Sequence, residues 1–203
     1  MLGIGMKRIV FSIWQDTNWR DYKDVLVSKQ KEYAEFCNAD YYCIEYNNFT
    51  YDKLQFEKLN LADEYLDLYD EVLYLDLDVI PRKDVSFFDK HNLDTFCVHY
   101  TDKPRWKIDA KNAALGYLGK NKIANTGVFG LGKKLKGMLK TPHVFNNNEV
   151  FVSHTIEKYD IPCTELTGAW NFILDSNFRK YSAAHYFLHV SNKDFESISL
   201  EQY

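Results

Sequence analysis

Hydrophobic positions along the first eighty residues follow two alternating periods. Lys7-Arg8-Ile9-Val10-Phe11-Ser12-Ile13-Trp14 is a β-branched and aromatic run that ends in the polar Gln15-Asp16-Thr17-Asn18 segment, and it reads as a strand. From Trp19 the period lengthens: Tyr22, Val25, Leu26, Lys29, Tyr33, Phe36 and Cys37 fall near a 3.6-residue spacing. This predicts an amphipathic helix over residues 20–38, closed by Asn38-Ala39-Asp40. Residues 41–46 form a second strand pattern, broken at Asn47-Asn48, and a second helical face carries Leu54, Leu59, Ala62, Tyr65, Leu66 and Tyr69. The run Glu71-Val72-Leu73-Tyr74-Leu75-Asp76-Leu77-Asp78-Val79-Ile80-Pro81 follows, and it reads as one strand buried on both faces and stopped by a proline.

Strand, helix, strand, helix, strand predicts an α/β architecture with a mixed, mostly parallel sheet flanked by helices. Beyond Pro81 the pattern gives a short helical turn at residues 85–88 and a strand at 95–100. Residues 101–122 are polar and basic, interrupted by Pro104, Gly116 and Gly119, and read either as a partly helical lid or as a surface excursion. Strand character resumes at 123–131 with a kink at Asn125-Thr126-Gly127. Residues 135–139 and 149–159 look helical, and 184–190 form a closing strand. With no internal repeat and no linker, the 203 residues are expected to form one domain.

The chemistry concentrates at the end of the third strand. Asp76 and Asp78, spaced by one residue, would face the same side of an extended strand and repel each other unless a cation or proton lay between them. A hard divalent ion, Mg²⁺ or Mn²⁺, meets that need and also binds phosphate. The plain alternative is a pair of strand-end acids facing solvent. The position favours the first reading, because ligands of open α/β sheets sit beyond the carboxyl ends of the strands.

Composition narrows the partners. A net charge of −4 provides no basic footprint for nucleic acid. The four cysteines at 37, 43, 97 and 163 show no metal spacing and suit a reduced, cytoplasmic protein. No stretch approaches the apolar length of a membrane span or a signal peptide. Aromatic residues make up 16% of the chain, enough for stacking platforms, although core packing is their commoner use.

Several segments together match one family. The strand Tyr74-Leu75-Asp76-Leu77-Asp78-Val79-Ile80, the segment Ala124-Asn125-Thr126-Gly127-Val128, Trp170-Asn171, and His189 followed by Lys193 occur in an order that resembles the nucleotide-diphospho-sugar glycosyltransferases of GT-A fold. The likeness is greatest to the glycogenin and galactosyltransferase-like family 8 group and its viral or bacterial relatives. The resemblance implies a nucleotide-binding half at 1–81 and a sugar and acceptor half at 82–203. It implies that Asp76, Asp78 and His189 hold Mn²⁺ or Mg²⁺ on the donor diphosphate, with Leu77 and Lys58 beside the donor. Lys193 would meet the diphosphate, although the family's histidine-glycine-lysine segment is here His189-Val190-Ser191-Asn192-Lys193-Asp194-Phe195. Ile13 and Trp14 would flank the base, Asn125 the donor sugar, Glu149 the sugar or acceptor, and Trp170 and Asn171 the substrate. Asp78, Asn125 and Glu149 are the implied catalytic residues.

The activity so implied is metal-dependent transfer of a hexose from a nucleoside-diphosphate sugar, UDP-hexose first, to a hydroxyl of a glycan, protein or lipid. Family 8 likeness favours retention of configuration; an inverting enzyme would need a base, for which Glu149, Asp102 and Asp175 are candidates. Two other readings remain. Asp76-Leu77-Asp78-Val79 also resembles the first motif of haloacid-dehalogenase phosphohydrolases, with Asp76 as nucleophile, but that family carries it on its first strand. The other is a non-catalytic sugar-binding protein of the same fold.

Overall fold

The computed structural model describes residues 5–15, 20–46, 51–116, 122–139, 145–174, 185–191 and 195, excluding the side chains of 51–53. Strands β1 (Arg8–Gln15), β2 (Asp40–Tyr46) and β3 (Glu71–Leu75) run parallel, with β1 in the middle. Helix α1 (Lys23–Phe36) joins β1 to β2, and α2 (Tyr51–Tyr65) carries the chain back across to β3. Asn38 ends the first crossover in a left-handed conformation at φ 52°, a conformation that asparagine tolerates better than most residues. Because the chain leaves β1 first to one side and then to the other, the crevice expected of such sheets opens beyond the carboxyl ends of β1 and β3.

Five more elements follow in chain order. They are β4 (Val79–Pro81), α3 (Phe87–Lys90), β5 (Phe96–Asp102), α4 (Arg105–Leu115) and β6 (Lys122–Gly132). After them come α5 (Asn148–Lys158), β7 (Cys163–Glu165), β8 (Phe172–Ile173) and β9 (Phe187–His189). The large sheet has the order β2-β1-β3-β6-β5-β7, with β6 antiparallel to both β3 and β5.

Alternation along the central strands feeds a core on each face. Ile9, Phe11, Val72, Tyr74 and Phe129 pack on one side with Phe56 and Leu59 of α2 and Phe151 of α5. Val10, Leu73, Leu75 and Val128 pack on the other with Tyr33 and Ala34 of α1 and with Phe87. Strands buried on both sides are why the sequence shows unbroken apolar runs here. Truncation of a buried phenylalanine such as Phe11 to alanine is expected to cost about 3–5 kcal/mol.

The run from Glu71 to Pro81 is not the single strand expected from its pattern. It leaves the large sheet after Leu75, turns through Asp76–Asp78, and resumes as β4 in a separate sheet of order β4-β9-β8. Buried Gln30 of α1 accounts for the break, since its Nε2 donates to the carbonyls of both Asp76 and Val79 at 2.9 Å. A long-range side-chain partner of this kind has no local sequence signal. Elsewhere, Pro104 caps α4 and Gly116, at φ 74°, ends it, so residues 105–115 of the basic stretch are helical, while 117–121 lie outside the described residues. The helix expected at 135–139 is only a 3-10 turn at Lys133–Leu135, and the closing strand shortens to β9. Among the described residues no helix is long and apolar enough to cross a membrane.

Candidate metal and donor site

The small sheet brings the far end of the chain to the acids. His189 of β9 pairs in register with Val79 of β4, and the amide of Val190 donates to the Asp78 carbonyl at 2.9 Å. Asp76, Asp78 and His189 each present a ligand atom, all within 4.8 Å of one another. Asp78 and His189 are 3% and 7% exposed, whereas Asp76 is half-buried.

Each side chain is held by partners that leave a coordinating atom available. Asp76 Oδ1 accepts from the Tyr74 hydroxyl at 2.6 Å and from Lys58 Nζ at 3.2 Å. Burial, reinforced by the neighbouring Asp76 carboxylate, pushes the Tyr74 hydroxyl well above its usual pKa, so it remains a donor. Lys58 also donates to the Thr126 carbonyl at 2.8 Å and lies 4.9 Å from the centre of the Tyr74 ring. His189 Nδ1 meets Asn171 Oδ1 at 2.9 Å, and Nε2 is 3.4 Å from Asp78 Oδ2. Two carboxylates and one imidazole nitrogen form a donor set that fits Mn²⁺ or Mg²⁺, and the Asn171 amide oxygen takes the second ring nitrogen, the place an outer partner of a metal-bound histidine occupies.

These groups form one side of a cleft of about 410 Å³. The amino end of α5 also lines it. Asn147 caps that helix, its Oδ1 accepting from the amides of Glu149 and Val150 at 3.1 Å. Asn148 bonds the Thr126 hydroxyl at 2.9 Å and the Gln55 carbonyl at 2.7 Å, tying α5 to α2. Glu149 points into the cleft with one carboxylate oxygen 3.1 Å from Lys103 and the other 2.7 Å from Lys107.

Of the residues implied by the family pattern, Ile13, Lys58, Asp76, Leu77, Asp78, Asn125, Glu149 and His189 all line this cleft. Trp14 does not: it is buried with Leu26, Leu77, Ile80 and Leu188. Trp170 packs into an aromatic cluster with Phe87, Tyr186 and Phe187, away from the cleft, and Asn171 stands behind His189 rather than in the lining. Asp102 is exposed at the end of β5, and Lys193 and Asp175 fall outside the described residues.

Sequence reading overlooked Tyr74, Gln30, Lys103, Lys107 and the Gln55–Asn148 pair. A signal existed for Tyr74, two residues before Asp76 and so on the same side by alternation. Gln30 and Gln55 act across 46 and 93 residues, and no local pattern marks them.

No protein-family model matches the chain, and comparison with curated proteins finds no match. Solved structures do match. A glycosyltransferase involved in the glycosylation of the major capsid of PBCV-1 superposes with a TM-score of 0.66 at 14% identity, over 97% of this chain and 100% of that one. The galactosyltransferase LgtC, in complex with donor and acceptor sugar analogs, gives 0.53 at 14% identity, over 96% and 93%. The bifunctional glycosyltransferase WbbM gives 0.56 at 11% identity over 92% of this chain, which spans 46% of WbbM. At these identities the likeness is one of fold: the chain has the mixed α/β GT-A fold of glycosyltransferases.

Proposed function

We propose that the protein is a metal-dependent glycosyltransferase. It moves a hexose, with retention, from a nucleoside-diphosphate sugar, UDP-hexose first, to a hydroxyl of a glycan, protein or lipid acceptor. The observation that carries this reading is the convergence of Asp76, Asp78 and His189 in a cleft beyond the carboxyl ends of β1 and β3, in a fold shared with glycosyltransferases. Free thiols at all four cysteines fit a cytoplasmic setting.

Sugar transfer breaks the bond between the anomeric carbon and the diphosphate. Negative charge builds on the departing oxygen while the sugar becomes cationic. A divalent ion held by Asp76, Asp78 and His189 would supply the positive charge that offsets this development, an effect that is usually the largest available. Lys58 and the Tyr74 hydroxyl hold the Asp76 carboxylate by one oxygen and direct the other away. Ile13 and Leu77 give the base an apolar wall, residues 1–81 serve the nucleotide, and Asn125 and Glu149 in the later half face the sugar. Lys193 keeps the diphosphate role that the family resemblance gives it. Both oxygens of Glu149 are engaged by lysines, which weakens its case as the base an inverting enzyme would need and is in keeping with a retaining route.

The test is a panel of nucleotide sugars scored for Mn²⁺-dependent hydrolysis, which needs no acceptor. Turnover of a UDP-hexose that disappears in Asp78→Ala is expected. Unchanged turnover and metal-dependent binding in Asp78→Ala would overturn the reading. A phosphoryl adduct on Asp76 would establish the phosphohydrolase instead, and donor binding without any turnover would leave a sugar-binding protein.

A further inference from the structure

Behind the metal-binding face runs a chain of three buried side chains whose orientations are fixed by one donor that cannot rotate. The backbone amide of Gly127 is a donor by covalent structure, so the Asn125 atom that meets it at 3.0 Å is its oxygen, Oδ1. Asn171 approaches the same oxygen at 3.1 Å and must present its Nδ2, since its own oxygen there would face another oxygen. Asn171 Oδ1 is then turned to His189 Nδ1, 2.9 Å away, and a carbonyl oxygen is satisfied only by a protonated ring nitrogen. Nε2 is left directed at Asp78 Oδ2, 3.4 Å away.

The run is almost wholly buried, with only Asn125 and His189 reaching the cleft: Asn125, Asn171 and His189 are 5%, 1% and 7% exposed. Burying two amides and an imidazole is unfavourable compared with apolar side chains unless every polar atom finds a partner. The register of the small sheet serves the same end. Ile173 of β8 pairs with His189 of β9, which sets Asn171, two residues earlier, beside the ring.

We propose that Asn125 and Asn171 are positioning residues that lock His189 in the tautomer with Nδ1 protonated, so that Nε2 is presented to the Asp76–Asp78 pair as a ready ligand for a divalent cation. The ligand part of this inference rests on the metal reading given above. The tautomer part stands without it. Neither asparagine need touch the donor for substitution to impair the site.

Two readouts test the assignment. In metal-free protein at pH 8, long-range ¹H–¹⁵N correlation of the histidine rings should show His189 protonated on Nδ1; protonation on Nε2, or an even mixture, overturns the proposal. Mn²⁺ affinity, measured by titration, should weaken about 10–100-fold in Asn171→Leu and in Asn125→Leu. It should be retained in Asn125→Asp, whose carboxylate still accepts from Gly127 and Asn171. Should Asn171→Leu fail to fold, the Asn125→Leu and Asn125→Asp pair, matched by near-UV circular dichroism, decides the matter on the same two measurements. Wild-type protein that binds Mn²⁺ while the folded leucine variants bind it equally well overturns the positioning role. Wild-type protein with the Nδ1–H tautomer but no Mn²⁺ binding supports the lock and removes the metal reading alone.

Discussion

Gly127 lies so close beneath His189 that a Cβ there would stand 2.5 Å from the ring Cε1 and 2.9 Å from Nδ1, and 3.0 Å from Asp76 Oδ2. The need for glycine here is one of space, not of backbone conformation, and it is met at the point where two of the three candidate ligands converge. Gly127→Ala is therefore expected to displace the His189 ring while leaving the sheet intact. Metal affinity should fall by about 10-fold or more, comparable with the loss of an outer-shell partner. Thermal unfolding and Mn²⁺ titration on the same sample check this; an unchanged affinity would show that the ring does not need that space.

Asp78 places its backbone and its side chain in different service. The carbonyl accepts from Val190 at 2.9 Å and so ties the acid-bearing turn to the end of β9, while the carboxylate faces His189. Asp78→Asn should preserve the backbone link and much of the stability yet lower metal-dependent donor hydrolysis by about 10²–10³, the scale of losing one electrostatic contact to the leaving group. Rate and melting temperature measured together separate the two roles.

The amino end of α5 offers a milder perturbation. Asn147→Ala removes the acceptor for the amides of Glu149 and Val150, at a cost of about 1 kcal/mol. Because Glu149 is the next residue but one and lies in the cleft, the donor KM should rise along with the stability loss. Denaturant unfolding and steady-state kinetics together test this; a stability loss with an unaltered KM would place Glu149 outside the donor's reach.

How much of this was legible beforehand depends on the range over which each feature is determined. The parallel β1–α1–β2–α2–β3 half follows from local periodicity, and Asp76 and Asp78 stand where that half delivers them. Within residues 101–122, which the pattern left open between lid and excursion, 105–115 form α4 between Pro104 and Gly116. The end of β3 was misjudged because two carbonyls are claimed by Gln30, 46 residues upstream of Asp76. Trp170 looked like a binding residue in a short family segment, yet it packs against Phe87 and Phe187. Composition cannot tell a stacking platform from a core residue, since both need a large ring and only burial separates them.

Lys58 and Asp76 form a half-buried pair whose members should be coupled. Lys58 is 7% exposed and makes its two bonds to Asp76 and the Thr126 carbonyl. Asp76→Ala leaves that ammonium short of a partner, and a loss of about 1–3 kcal/mol is expected. Lys58→Met in the Asp76→Ala background should recover part of it, because the cation no longer has to be buried. A double-mutant cycle in denaturant gives the coupling; strictly additive losses would show that the pair is not a unit.

A last expectation concerns acid. His91 packs against Phe87 and Trp170, tilted to the first and edge-on to the second, with ring centres 4.6 Å and 4.8 Å away, and among the described residues its Nε2 is buried without a hydrogen-bond partner. Burial lowers its pKa, so the folded protein favours the neutral ring. Below the unfolded value of about 6.5 the unfolded chain takes up a proton that the folded chain resists. The contribution of His91 to stability is thus fully present above that pH and is lost as the pH falls towards the lower folded value. His154 and His185 are lowered by burial as well and act in the same direction, so one substitution removes only a share of the slope. His91→Phe, which keeps a ring in the aromatic slot, should flatten the fall in melting temperature between pH 7 and 5. An identical fall in the two proteins would mean that the ring is protonated in the folded state at no extra cost.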